Sequence, residues 1–158
     1  MKIVAVTLLA VVACGLAVAG DAEDRAALAP VLNKKYKLAS SENFEEVMAA
    51  LGVGWITRKL GNAASPVIEL TENNGEYSLT SKSTFKDTDL RFRIGQEFTE
   101  ETPDGRMVKS IITQKGNVLT HVQTGVKVTT IVRTFTPEEI KMVITVGDIV
   151  STRIYKPE

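Results

Sequence analysis

The chain has 158 residues, of which 44% are hydrophobic, and its 19 basic side chains balance 19 acidic ones. This length favours one domain, and the absence of net charge gives no electrostatic basis for binding nucleic acid or an anionic membrane surface. One cysteine and one histidine are too few for a zinc or thiol site, so we expect no metal and no other cofactor.

The first 19 residues are typical of a secretory signal peptide. Lys2 supplies a short positive start, residues 3–18 form an apolar run, and Ala17-Val18-Ala19 has the small residues of a cleavage site. Acidic residues follow instead of the basic flank expected after a membrane-spanning helix. We therefore predict cleavage near Ala19 and a secreted protein that loses its one cysteine, Cys14. An uncleaved N-terminal anchor is the alternative.

Residues 20–33 form an N-terminal extension to which we assign no function, and residues 34–158 form the predicted domain. A strand over 34–39 precedes a helix whose apolar face is formed by Phe44, Val47, Met48 and Leu51. Ser40 or Ser41 is the predicted helix cap. A second short helix is predicted over 55–62. A DNA-reading helix-turn-helix is the alternative, but no basic recognition face accompanies the pair.

Short segments of alternating polarity follow, separated by residues that favour turns. Regular short strands of this kind predict a β-sandwich or a β-barrel. With the first strand there are ten, over residues 34–39, 67–71, 76–82, 88–94, 97–99, 107–114, 118–123, 127–135, 141–146 and 150–155.

Two arginines near the C-terminus have alternative placements. Arg153 and Tyr155 share one face of the last strand, and Arg133 lies on one face of an earlier strand. If these faces point into a closed barrel, the buried guanidiniums would require an anion, and a carboxylate fits their geometry. Alternation alone equally allows both arginines to face solvent.

Five motifs occur in order between residues 34 and 157: Tyr36-Lys37-Leu38-Ala39-Ser40-Ser41-Glu42-Asn43-Phe44, Leu51-Gly52-Val53-Gly54-Trp55-Ile56-Thr57-Arg58-Lys59, Ser83-Thr84-Phe85-Lys86, Gly95-Gln96-Glu97-Phe98 and Ser151-Thr152-Arg153-Ile154-Tyr155. Together they resemble the fatty-acid-binding protein family, the intracellular lipid-binding proteins of the calycin superfamily. The resemblance covers nearly the whole of the predicted mature chain.

This resemblance implies a mainly β fold: a ten-stranded antiparallel up-and-down β-barrel, or β-clam, with a helix-turn-helix lid. It also implies a cavity for one long-chain fatty acid or a similar amphiphile, whose carboxylate is held by Arg133, Arg153 and Tyr155. Ordinary core packing is the alternative for the positions that it assigns to the ligand tail and the portal. These are Phe44, Met48, Val53, Thr57, Ser81, Ser83, Phe85, Asp104, Arg106, Ile131, Met142 and Ile144.

The expected function is therefore the carriage of a lipid, not catalysis. His121 is the single imidazole and no Ser-His-Asp spacing is visible, so we expect no enzyme. A retinoid carrier, or a secreted structural protein with a vestigial cavity, is the alternative. We expect a monomer with transient membrane contacts and no nucleic-acid partner. The predicted signal peptide departs from the mostly cytosolic family and suggests lipid delivery outside the cell.

Overall fold

A computed structural model describes residues 21–158 of the chain. The predicted signal peptide and its cleavage site near Ala19 lie outside the described residues. Within the described range no helix combines the length and apolar character needed to cross a bilayer.

Ten strands and three helices make up this part of the chain. Residues 21–28 form helix α1, which continues into a 3-10 turn at Ala29–Val31. The first strand, β1, is Lys35–Glu42, and the lid helices α2 and α3 are Phe44–Ala50 and Trp55–Ala63. The remaining strands are β2 (Val67–Asn73), β3 (Glu76–Lys82), β4 (Thr88–Phe92), β5 (Phe98–Glu101), β6 (Met107–Lys115), β7 (Val118–Thr124), β8 (Thr129–Phe135), β9 (Ile140–Val146) and β10 (Ile149–Pro157).

The strands form one antiparallel sheet that curls into a nearly closed barrel. Their order is β4-β3-β2-β1-β10-β9-β8-β7-β6-β5, so every strand pairs with its neighbours in sequence except β4 with β5, and β1 pairs with the last strand. Strands β4 and β5 end the ordered sheet and do not pair with each other among the residues described. The predicted ten-stranded up-and-down barrel with a helical lid between its first two strands is confirmed.

Side-chain alternation separates the inside of the barrel from the outside. In β8, Thr129, Ile131, Arg133 and Phe135 are buried, and the residues between them are half-buried. The same period of two runs through β6, β7, β9 and β10, as expected for strands with one face turned inward. The ten predicted strands therefore correspond to the ten observed strands with small shifts at their ends.

The predicted cap of the first lid helix is wrong. Strand β1 extends through Ser40 and Ser41 to Glu42, after a register shift between Leu38 and Ser40 in its pairing with β10. The residue before α2 is Asn43, which adopts a left-handed conformation (φ 55°) and makes no side-chain cap hydrogen bond. Both serines therefore belong to β1, which continues beyond the bulge.

The lid packs its two helices against each other and over the barrel mouth. Val47 and Met48 of α2 are buried, and the sulfur of Met48 lies against the buried Gly61 of α3. Glu45 forms an ion pair of 3.3 Å with Lys59. Trp55, Ile56 and Leu60, all on the outer side of α3, are exposed.

The N-terminal extension closes the opposite end of the barrel. Leu28 and Val31 are fully buried members of the hydrophobic core. The Asp24 carboxylate accepts a 2.6 Å hydrogen bond from the backbone N–H of Gly116, in the turn between β6 and β7. The N-terminal extension is therefore held to the barrel by the Asp24 carboxylate and by the buried side chains of Leu28 and Val31.

Candidate functional site

A cavity of about 700 Å³ lies inside the barrel beneath the lid. All fifteen positions that the family resemblance assigned to a binding site, three for the head group and twelve for the tail and portal, line this cavity. Phe44, Met48, Val53 and Thr57 come from the lid, whereas Ile131, Met142 and Ile144 come from β8 and β9. The lid residues and the barrel residues line the same cavity because the lid connects β1 to β2 directly over the barrel mouth.

Arg133, Arg153 and Tyr155 lie on the inner face of the barrel. Met142 of β9 is paired with Arg133 on one side and with Arg153 on the other. Arg133, Met142 and Arg153 therefore form one inward-pointing row across three strands. Two strand spacings place the backbones of the two arginines about 10 Å apart. Two long guanidinium side chains can converge on one small group across that distance.

Arg153 is the most unusual charged group of the site. Its side chain is buried, with 3% exposure, and its Nε has no hydrogen-bond partner among the described residues. Its guanidinium carbon lies 3.8 Å from the centre of the Phe44 ring, a cation–π contact between β10 and the lid. A buried cation normally pairs with an anion, so this guanidinium is suited to a negatively charged ligand group.

Arg133 belongs to a hydrogen-bonded chain of buried polar groups. Its Nη1 lies 3.4 Å from Nδ1 of His121, whose Nε2 lies 2.9 Å from the carboxylate of Glu100. The amide nitrogen of Gln123 donates to the other Glu100 oxygen at 2.7 Å. Burial lowers the pKa of Arg133, whose guanidinium nevertheless remains protonated in proteins.

His121 is neutral in this arrangement. Burial lowers its pKa below 6.5, and the contact with Glu100 only partly opposes that effect. A neutral imidazole that donates from Nε2 to Glu100 keeps Nδ1 free to accept from Arg133, which explains both contacts. Protonation would place an N–H against the guanidinium.

Glu100 remains ionised although it is half-enclosed. Burial would raise its pKa, but hydrogen bonds from His121, Ser110 and Gln123 lower the pKa overall. Arg133 and Arg153 then supply two positive charges against the one negative charge of Glu100. The inner part of the cavity carries a net positive charge of one, which a single carboxylate would neutralise.

The residues at the cavity mouth hold the turns in place. Ser83 Oγ accepts from the backbone N–H of Phe85 at 3.2 Å, which constrains the turn backbone that carries this half-buried residue between β3 and β4. Asp104 forms a two-pronged pair with Arg106, with oxygen–nitrogen distances of 2.6 and 3.1 Å. The polar groups of Ser83, Asp104 and Arg106 are therefore already used within the portal turns.

Sequence reasoning missed several residues of this cavity. Glu100, His121, Gln123 and Thr129 also line it. Alternation in β7 could have found two of them, because Leu119, His121 and Gln123 share one face of a strand. None of these residues forms a metal site: across residues 21–158 no cluster of three or more His, Cys, Asp or Glu side chains could hold a metal ion.

Comparison with known proteins places these features in a family. A sequence model of the lipocalin / cytosolic fatty-acid binding protein family matches residues 34–158. The chain is 54% identical over 126 residues to the muscle fatty-acid-binding protein of Schistocerca gregaria, which covers 78% of this chain and 94% of the relative.

Two solved structures have similar folds. The brain fatty-acid-binding protein of Drosophila melanogaster superposes with a TM-score of 0.77 at 53% identity, over 80% of this chain and 98% of that one. The Schistosoma mansoni fatty-acid-binding protein in complex with arachidonic acid gives a TM-score of 0.80 at 37% identity, over 84% of this chain and 98% of the other.

Proposed function

The chain belongs to the lipocalin / cytosolic fatty-acid binding protein family, and on that basis we propose that it binds and carries one long-chain fatty acid in its barrel cavity. The observation that carries the proposal is Arg153, a buried guanidinium that faces an aromatic ring and has no carboxylate partner within the described chain. The arachidonic acid complex of the schistosome relative supports the same ligand class.

In this proposal the carboxylate is held by Arg133, Arg153 and Tyr155. The single net positive charge of the inner cavity supports a ligand with one negative charge. Hydrogen bonds to charged groups contribute about 1.5–3 kcal/mol each, and these bonds would give the preference for an acid over an ester.

The acyl chain would supply most of the affinity. Lid and barrel residues such as Met48, Ile131 and Ile144 provide an apolar surface for it. Each buried methylene contributes about 0.8 kcal/mol, so a long chain outweighs the head group in total free energy. The function is a cycle of binding and release, with Phe85 and the lid controlling access.

Extracellular action belongs to the same proposal. The positive start, the apolar run and the Ala17-Val18-Ala19 site support export and cleavage near Ala19. Sequencing the N-terminus of the protein recovered from outside the cell tests this point. A protein found only in the cytosol with Met1 intact would contradict it.

A monomer that touches membranes transiently completes the proposal. Trp55 and Ile56 of α3 are 64% and 68% exposed beside Lys59, a combination suited to brief contact with a lipid surface. Ligand transfer to vesicles should then depend on vesicle concentration. Transfer at a constant rate would contradict membrane contact and leave fatty-acid binding intact.

Native mass spectrometry of the protein purified from its source tests the main proposal. A one-to-one complex that releases a long-chain fatty acid on extraction is the expected result. An empty protein that also fails to take up a fluorescent fatty acid would overturn it, and recovery of a retinoid would reassign the ligand.

A further inference from the structure

The inner wall of the barrel is chemically two-sided. One side carries a group that we call the polar wall: Glu100, Ser110, His121, Gln123 and Thr129, on strands β5 to β8. The facing strands present mainly apolar side chains to the cavity, among them Ile68, Leu79 and Ile144. A saturated acyl chain requires no polar wall, so these polar groups need a separate explanation.

Three members of the polar wall lie side by side. Ser110 is paired with Gln123 across β6 and β7, and Gln123 with Thr129 across β7 and β8. Neighbouring strands are about 4.8 Å apart, so the three side chains form a short continuous row on the inner face. The row ends at Val146, which is paired with Thr129 on the apolar side.

Thr129 is the key member of the row. It lines the cavity with 1% exposure, and its Oγ1 has no hydrogen-bond partner within the described part of the chain. The Oγ of Ser110 is 2% exposed, and it lies close enough to Glu100 to help lower the pKa of that carboxyl, so its hydroxyl is already used by the protein. Buried hydroxyls almost always have partners, so the Thr129 hydroxyl is suited to a polar group of the ligand.

Glu100 restricts the kind of polar group that fits. Its carboxylate is occupied by His121 and Gln123 and stays negatively charged, because burial, which would raise its pKa, is outweighed by those contacts. A second carboxylate at this wall would be repelled. An uncharged hydroxyl can both donate and accept, and it therefore matches the free hydroxyl of Thr129.

The row lies well away from the arginines. Thr129 and Arg133 are four residues apart on β8, which corresponds to about 13 Å along the strand. A ligand group that reaches Thr129 while the carboxylate is at Arg133 and Arg153 must be far down the acyl chain.

We propose, on the premise that the cavity binds a fatty acid, that the polar wall is a subsite for a hydroxyl group in the middle of the chain. The protein then accepts hydroxylated long-chain fatty acids, with Thr129 as the residue that distinguishes them from unmodified ones.

The test compares stearic acid with mid-chain hydroxystearic acid by isothermal titration calorimetry. The measured quantity is the affinity for the hydroxy acid divided by the affinity for stearic acid, in the wild type and in Thr129→Val. In a wholly apolar cavity an unpaired hydroxyl weakens binding about tenfold or more. We expect the wild type to bind the two acids within about threefold, and Thr129→Val to lower this ratio about three- to tenfold.

Two controls isolate the subsite. Thr130→Val alters the next residue of β8, which is not part of the inward-facing set, and should leave the ratio unchanged. Stearic acid with its hydroxyl on the carbon beside the carboxylate cannot reach Thr129, so its binding relative to stearic acid should not respond to Thr129→Val.

The outcomes separate this inference from the proposed function. If stearic acid binds but its mid-chain hydroxylated derivative binds at least tenfold more weakly, and Thr129→Val does not change the ratio, the inference is overturned. The polar wall would then bind only water. If neither acid binds, the proposed function fails together with the inference. An equal loss for both acids in Thr129→Val would also overturn the subsite.

Discussion

Replacing Arg153 by methionine should change ligand affinity and protein stability in opposite directions. Arg153 is a buried cation whose Nε has no partner among residues 21–158 and whose guanidinium carbon lies 3.8 Å from the centre of the Phe44 ring. Methionine has a similar length and a flexible apolar side chain, so it can contact the ring and fill the same space without a charge.

The magnitudes follow from the contacts. A carboxylate that loses hydrogen bonds to a charged group loses about 1.5–3 kcal/mol, which corresponds to roughly 10- to 150-fold in affinity. The ligand-free protein loses a buried charge and a cation–π contact worth about 1 kcal/mol. Because an uncompensated buried charge costs more than that contact, we expect the free energy of unfolding to rise by about 1–2 kcal/mol.

Two assays measure these effects. Calorimetric titration with oleic acid and with methyl oleate should show the full loss for the acid and a small change for the ester. Urea unfolding of the delipidated protein should give a higher midpoint than the wild type. Arg93→Met, which alters an exposed arginine, is the control. Equal losses for acid and ester, or a less stable ligand-free variant, would refute the reasoning.

Three further predictions concern stability. Asp24→Ala should lower the free energy of unfolding by about 1–2 kcal/mol in urea, because it leaves the N–H of Gly116 without its partner. Gly61→Ala should raise it by up to about 1 kcal/mol, since alanine favours a helix and flexible Met48, whose sulfur would be 3.2 Å from the new carbon, can shift. His121→Gln should flatten the decline of the melting temperature as the pH falls from about 7 to about 5.

The sign of the pH effect follows from the depressed pKa of His121. Its folded-state pKa lies below 6.5 because of burial, so the unfolded chain takes up the proton first and stability falls as the pH drops below 6.5. Glu100, with a pKa below 4.5, adds a loss only at still lower pH. A wild-type melting temperature that rises between pH 7 and 5 would contradict the assignment of a neutral imidazole.

The stability variants have their own controls. Glu23→Ala alters an exposed carboxylate on α1 and should change little. An equal effect of Glu23→Ala and Asp24→Ala would mean that the hydrogen bond to the turn contributes nothing specific. A Gly61→Ala variant that is strongly destabilised would show that the lid cannot shift as assumed.

The ten strands could be predicted from sequence because each alternates in polarity and ends in turn residues. The start of α2 could not, since the bulge near Leu38 and the left-handed Asn43 depend on pairing between β1 and β10. The burial of Leu28 and Val31 was also missed. Two apolar residues in a short N-terminal segment carry no period that separates a core contact from an exposed helix.

Only those site residues that the family resemblance covers could be predicted from the sequence. Alternation placed Arg133 and Arg153 on definite strand faces, but it could not decide which face pointed inward. The His121–Glu100 contact joins residues 21 positions apart, and it depends on the stagger of β5, β6 and β7. No local pattern in the sequence shows that stagger, and therefore the polar wall was not predicted.

The pairing of β1 with β10 has a consequence for how the protein acquires its fold. Tyr36 is paired with Pro157, so residues 121 positions apart must meet before the sheet is continuous. Contacts this distant in sequence slow folding because a long loop must close first. During synthesis β1 can pair with β2 early, but it can pair with β10 only after the last residues have been made. Arg153 lies on that final strand, so a chain that stops short of it lacks both the closing ladder and the buried cation.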